Sequence, residues 1–510
     1  MSRILIASLL LMLTPVIHAE PAPAVRVLLV GDSTMASYAK PPKDRPDLTG
    51  WGQVFGEFFD APVVVLNHAR SGASSKSFIR DGLWKRALTE AKPTHVFIQF
   101  GHNDGHANDP RHTDPDRDFQ NYLKQYIDEA RAAGAKPILV TPVARRTFKE
   151  GKAITLLQPY ADAMKKVGKE RNVPVIDLHA ASLALFDRLG DKESADFSPA
   201  PEDRSHFSRK GARAMAKLVV EALPELTGYL KFPLELVQFV SYRTDPVFTA
   251  AKGEWDAKIR ERGWIMRENG IYKLWYTGYD GSKDGLRMLG YATSADGVAW
   301  ARYPKNPLVR NEWVEDMMIV KQGGKYFMFA EGRLDRAHWL DSDDGIAWRP
   351  RGKLDVRLKN GKAIPDGPFG TPTVWQEGER WYLFYERNDA GIWVATSPDM
   401  KVWTNVQDEP VLLPGPDDYD RDLIALNQVV KHAGRYYAYY HGSARKGPHA
   451  GLWTTCAATS KDLLHWEKYA GNPLLPVRDN QSSGILVHDG AQYRLYTMHP
   501  SVYLHIRPAR

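Results

Sequence analysis

Residues 25–36 read VRVLLVGDSTMA. An apolar run breaks at Gly31, and Asp32, Ser33 and Thr34 follow at once. A buried strand that stops there either turns into a helix behind a capping serine or presents Ser33 as a nucleophile. A serine hydroxyl is a weak nucleophile near neutral pH and needs an adjacent base. The stretch Asp203-Arg204-Ser205-His206 offers one. Asp203 stands three residues before His206, so both side chains can face one way from a single turn. His206 would take the serine proton and return it to a leaving alcohol. Asp203 would fix the imidazole tautomer and stabilise its charged form.

The elements that must bring these residues together are legible in the hydrophobic pattern. Apolar runs fall at 25–30, 62–66, 95–100, 137–141 and 174–178. Helical periodicity occupies 117–133, 158–171 and 208–223, where Met215, Leu218, Val219 and Ala222 share one face. Strands alternating with helices imply an α/β fold, a parallel sheet covered on both faces. In such sheets functional residues gather at the carboxyl ends of strands. Ser33 sits at one such end and Gly101-His102-Asn103-Asp104 at another.

After about residue 230 the helical period gives way to a repeat. Five hairpin centres align on Tyr272, Tyr326, Trp381, Tyr436 and Tyr493, at intervals of 54 to 57 residues. The first four are followed by a turn and a tryptophan, as in ATSADGVAW (292–300) and ATSKDLLHW (458–466). Two hairpins per period make a four-stranded blade, and five periods make an all-β five-bladed propeller.

Four segments in order resemble the blocks of the GDSL/SGNH serine hydrolases: Gly31-Asp32-Ser33-Thr34, Gly72 in ARSGASSKSF, Gly101-His102-Asn103-Asp104 and Asp203-x-x-His206. The resemblance implies a three-layer, flavodoxin-like sheet, with Ser33, Asp203 and His206 as catalytic residues. It also implies an oxyanion hole from the N–H groups of Ser33 and Gly72 and the amide of Asn103. GDSTM, TGWG, FIQFGHND, TPVARR, VPVIDLH and DRSHFSRKGA, within 25–225, look like the rhamnogalacturonan acetylesterases. That implies removal of acetyl groups from a pectin-type polysaccharide. One departure is Gly72-Ala73-Ser74-Ser75, where the relatives commonly read Gly-Arg-Ser-Ser. The missing arginine alters the contacts open to an acidic sugar.

The propeller resembles the arabinanase-like glycosidases of families 43 and 32. Strand-one starts fall at Glu261, Glu315-Asp316, Gly370, Ala425 and Ser482, and strand-two ends at Thr277, Glu331, Glu386, His441 and Met498. Hairpin geometry places all ten on one face. The family's base and tuning carboxylate fall on Glu261 and Asp316, but the third place holds Gly370, so Glu331 or Glu386 must supply the acid. Crowded carboxylates imply that Asp316 stays ionised while one glutamate is held protonated. A propeller that binds sugar without cleaving it is the alternative.

At 510 residues, two or three domains are expected. The segments assign 1–19 to a signal peptide, 24–228 to the esterase, 229–235 to a linker and 236–510 to the propeller. Arg3 ahead of the apolar run Ile4 to Leu13 suits export to the periplasm or beyond, and no second run is long enough to span a membrane. The single cysteine, Cys456, excludes an intramolecular disulfide. The formal charge of +7 is dispersed, which argues against nucleic acid and suits a polysaccharide partner. His102, His106 and His112 repeat no ligand spacing, so neither a metal nor another cofactor is expected.

Overall fold

The computed structural model describes residues 25–508, so the expected leader at 1–19 lies outside the described residues. Contacts divide the chain into two compact units after Met215. In the first, β1 (Val25–Gly31), β2 (Val63–Asn67), β3 (His95–Gln99), β4 (Lys136–Val140) and β5 (Val175–Ile176) form one sheet. Its order is β2-β1-β3-β4-β5, and every pair is parallel. Val27 to Val30 are fully buried, which is why β1 reads as a continuous apolar run. Helix Asp118–Ala132 buries Phe119, Leu123, Tyr126, Ile127 and Ala130. Helix Gln158–Arg171 buries Tyr160, Met164 and Val167. Both stripes follow the helical period.

This order places β2 and β3 on opposite sides of β1. The carboxyl ends of β1 and β3 therefore flank a topological switch point, where open α/β sheets bind ligands. The α/β reading of the sequence holds, with one shorter strand. The run at 174–178 stops as β5 at Ile176, because the Asp177 side chain caps helix Leu178–Glu193 through the N–H of Ala180.

The second unit holds the five blades. The first comprises Trp264–Glu268, Ile271–Tyr279, Met288–Ser294 and Ala301–Arg302. The second comprises Glu315–Gln322, Lys325–Gly332, Arg336–Ser342 and Arg349–Lys353. The third runs Gly370–Glu377, Arg380–Glu386, Ile392–Ser397 and Val402–Asn405, and the fourth Leu423–His432, Arg435–Ser443, Trp453–Ser460 and Trp466–Lys468. The fifth has Ile485–His488, Tyr493–Met498 and Val502–Ile506, and takes its outer strand from Val240–Ser241. That borrowed strand explains why the fifth hairpin lacks the turn-and-tryptophan motif. The motif itself is a Ser-x-Asp turn. Asp296 accepts from the N–H groups of Val298 and Ala299, while the N–H of Gly297 donates to Ser294. Asp344 and Asp462 repeat the arrangement.

Three innermost strands carry a one-residue bulge at their start, between Glu315 and Met318, Gly370 and Thr373, and Leu426 and Gln428. The bulges turn backbone carbonyls toward Arg262, which is fully buried. Its guanidinium donates to the carbonyls of Pro372 (2.9 Å), Leu426 (3.0 Å), Asn427 (3.1 Å) and Asp316, and to the hydroxyl of Thr373 (2.6 Å). One side chain thus joins four blades. Arg262→Met would strand buried carbonyls without a donor, at a cost of about 3–5 kcal/mol. The expected outcome is a propeller midpoint lower by roughly 10 °C, read by tryptophan fluorescence of the full chain. An unchanged midpoint would show that the arginine is dispensable to the fold.

Candidate active site

Ser33 follows β1 directly. Gly31 makes the approach possible, since a Cβ there would lie 2.6 Å from the carbonyl oxygen of Gln99. Ser33 Oγ lies 3.0 Å from His206 Nε2. His206 Nδ1 lies 2.9 Å from Asp203 Oδ2 and 3.1 Å from Oδ1. The expected three residues therefore stand in one hydrogen-bonded line. Burial opposes ionisation of Asp203. The N–H groups of His206 and Ser205, the charge on His206 and the guanidinium of Arg45 outweigh it and hold the pKa at about 2. Arg45 Nη1 sits 3.0 Å from Asp203 Oδ2.

The other block residues converge nearby. Gly72 turns with φ 79°, a conformation that favours glycine. Asn103 donates through Nδ2 to the carbonyl of Ala73 at 2.8 Å. Arg111 donates to Asn103 Oδ1 at 3.2 Å and to the carbonyl of Gly72 at 2.9 Å. Asp104 is buried and braces its turn through Ser75 and Thr113. Burial raises its pKa to about 6 against those hydrogen bonds. Asp32 accepts from both the N–H and the hydroxyl of Thr34. His102 lies 2.9 Å from the carbonyl of Val143 through Nε2. Burial, with Arg145 beside it, lowers its pKa to about 3, so it stays neutral.

In the propeller, the expected rim residues pair as hairpin ends: Glu315 opposite Glu331, Gly370 opposite Glu386 and Ala425 opposite His441. Glu315, Asp316 and Glu331 bring one carboxylate oxygen each to within 4.8 Å of one another. Gly370 accounts for its own departure from the family pattern. A Cβ there would lie 2.0 Å from Glu331 Oε2 and 2.6 Å from Glu386 Oε1, so the glycine gives room to both carboxylates. Glu331 Oε2 accepts from the N–H of Thr371 at 2.9 Å. Glu386 Oε2 accepts from the N–H of Asp389 at 2.5 Å.

Burial, then the charges of Asp316, Glu315 and Glu386, push Glu331 well above the usual carboxylate range. Burial and Asp389 raise Glu386 to about 7. Burial also raises Glu261, against the pull of Arg260, whose Nη1 stands 3.1 Å from it. Asp316 differs from expectation. Burial and the charge of Glu261 raise it to about 7, so it does not stand apart as the ionised member. His441, at the corresponding place in the fourth blade, is buried against Asn427 and lowered to about 3.

Residues 29–214 match the GDSL-like Lipase/Acylhydrolase family. Rhamnogalacturonan acetylesterase RhgT of Bacillus subtilis (strain 168) is 42% identical over 222 residues, 41% of this chain and 93% of that protein. The chain belongs to the GDSL-like lipase/acylhydrolase family. Its 510 residues extend beyond the matched segment. A 1,2-beta-oligomannan phosphorylase of Thermoanaerobacter sp. (strain X514) is 27% identical over 212 residues, 38% of this chain and 67% of that protein. A solved glycosyl hydrolase from Bacteroides ovatus superposes with a TM-score of 0.46 at 16% identity, over 55% of this chain and 98% of that one.

Two residues of this acylhydrolase site escaped the motif reading. Arg45 holds Asp203, and Arg111 holds the acceptor end of Asn103, which points the amide N–H₂ away from it. Neither lies in a family block, and each finds its partner across a loop. In Asp335 and Asp389 the propeller adds two acids that the rim pattern missed. Both adopt positive φ in turns, and both act on the Glu386 carboxyl.

Arg111→Leu is expected to lower kcat for ester hydrolysis by about tenfold, the worth of one positioning hydrogen bond, while KM changes little. Steady-state kinetics on p-nitrophenyl acetate check it. The raised carboxyls give a second expectation. An unfolded chain titrates these groups near pH 4. The folded propeller holds their protons to about pH 7. Stability present below pH 4 is therefore lost as pH rises through 7, by roughly 1–3 kcal/mol. Unfolding midpoints should fall from pH 5 to pH 8, and Glu386→Gln should flatten the slope.

Proposed function

We propose that this chain is an exported enzyme that removes acetyl groups from a pectin-type, rhamnogalacturonan-like polysaccharide, and that its propeller cleaves glycosidic bonds in the same class of polymer. The hydrogen-bonded line Ser33–His206–Asp203 carries the first part. Ser33 Oγ attacks the acetyl carbonyl carbon as His206 Nε2 takes its proton. The oxyanion is met by the N–H groups of Ser33 and Gly72 and by the amide of Asn103. His206 then protonates the departing sugar hydroxyl, which leaves an acetyl ester on Ser33. Water, deprotonated by His206, attacks that ester. Acetate leaves, and the proton returns to Ser33. Similarity to an enzyme named a rhamnogalacturonan acetylesterase supports the substrate class. Export rests on the apolar run after Arg3.

Glycosidic cleavage needs one carboxyl that is protonated near neutral pH and one that is ionised. Glu331 and Glu386, crowded over Gly370, supply the raised member. Glu261, with Arg260 at 3.1 Å, is the candidate for its ionised partner. Similarity to a protein named an oligomannan phosphorylase is consistent with chemistry at a glycosidic bond. Gly370 in the third-blade place favours the second reading, a propeller that binds sugar without cleaving it.

Ser33→Ala is expected to cost about 10⁴–10⁶ in acetyl release, and His206→Ala nearly as much, with the double variant no worse. A single variant that keeps more than a tenth of the activity would end the esterase assignment. Glu386→Gln is expected to remove glycoside cleavage and spare acetyl release. Full-length enzyme that releases acetate but no reducing ends, from any acetylated pectin or synthetic glycoside, would make the propeller a binding module.

A further inference from the structure

Beside the carboxylates, the second blade holds a cavity of about 620 Å³ with the opposite charge. Four basic side chains, Arg310, Arg333, Arg336 and Lys353, line it against one acid, Glu312, and burial lowers the pKa of His338, which joins the wall as a neutral ring. Arg310, Arg333 and Lys353 have no carboxylate partner among the described residues. The guanidinium of Arg333 lies over the ring of Trp313, 4.8 Å from its centroid. Stacking of that kind fixes the plane of the fork without using its N–H donors. Arg336 Nε is buried with no hydrogen-bond partner. Arg336 is held from its other end by Asp366, at 3.0 Å. A basic pocket with fixed, unspent donors is built to receive an oxyanion.

Its position says which kind. Gly332, in the cavity wall, follows Glu331 directly, and Trp313 lies two residues before Glu315. A polysaccharide drawn across the carboxylates would have any acidic sugar repelled by them and attracted to this wall. We propose that the cavity is a subsite for the carboxylate of a uronic-acid residue in the polymer chain, gripped by Arg333 and Arg336. The proposal rests on the reading of a pectin-type substrate and adds where its acidic sugars are held. It also supplies, in the propeller, an arginine contact of the sort that the Ala73 departure removes from the esterase block.

The test is calorimetric titration of the full chain carrying Ser33→Ala with trigalacturonate, its methyl ester and inorganic phosphate. Trigalacturonate should bind, and the ester should bind at least tenfold more weakly. Arg333→Gln and Arg336→Gln should each weaken trigalacturonate about tenfold. Arg333 is exposed, so Arg333→Gln should leave the unfolding midpoint unchanged. With Ser33 intact, the same substitution should leave p-nitrophenyl acetate hydrolysis unchanged. Equal affinity for acid and ester, or affinity indifferent to both variants, would overturn the subsite. So would phosphate binding that the variants weaken while trigalacturonate does not bind. Acetyl release from acetylated rhamnogalacturonan, measured with Ser33 intact, reports separately on the substrate reading.

Discussion

The Arg262 guanidinium is buried among the first strands of the propeller, where its two terminal nitrogens need acceptors, while its Nε finds none. An unpaired guanidinium in that environment would cost several kcal/mol. The bulges at the starts of three strands are the means of meeting it. Each inserts one residue and aims a carbonyl at the axis, and two of them hold a non-glycine residue, Asp316 or Thr371, at positive φ. Such backbone costs of order 1–2 kcal/mol per residue. It persists because the arginine hydrogen bonds fix it. The same distortion sets where the strand-start side chains go. Asp316 Oδ1 accepts from the N–H of Arg262 at 3.0 Å, so the residue that satisfies the axis also anchors one of the acids above it.

The carboxylate cluster therefore follows from the way the axis is filled. Four blades that converge on one arginine bring their strand ends close together. Residues 261, 316, 331 and 386 then crowd whatever their chemistry. Gly370 shows the limit of the space. Any side chain there would collide with Glu331 and Glu386, so a third-blade carboxylate at this place would exclude the pair that the other strand delivers.

Much of this was legible in the sequence, and what was not has a physical cause. Ser33, Asn103, Asp203 and His206 sit in local blocks at strand ends or in one turn, so spacing alone relates them. The strand-end rule placed Glu261, Asp316, Glu331 and Glu386 on one face because hairpin geometry is periodic. The protonation of Asp316 was misjudged. The charge that raises it most, that of Glu261, comes from another blade, and burial at a bulge leaves no trace in sequence. Arg45 escapes sequence reading because its partner Asp203 lies far along the chain, and Arg111 because only the path of the loop after Asn103 turns its guanidinium back onto that amide and onto the carbonyl of Gly72. The fifth blade's borrowed strand, Val240–Ser241, is two residues long and too short for any periodicity.

Burial acts on carboxyl groups in both units with opposite results, and the difference lies in what accompanies it. Asp203 is partly buried and still ionised, because two backbone N–H groups, an arginine and an imidazole face it. It can hold charge next to His206 through each transfer of the serine proton. Glu386 receives one strong backbone hydrogen bond and acidic neighbours, and its pKa rises to about 7. The first environment stabilises a cation that appears and disappears beside it. The second keeps a proton available near neutral pH. An acetyl ester needs the former, because its leaving oxygen is protonated by histidine. A glycosidic oxygen needs the latter, because the two histidines on this side of the propeller resist charging: burial holds His441 at about 3, and burial with the charge of Arg260 lowers His499, whose Nδ1 stands 4.0 Å from Glu261 Oε1.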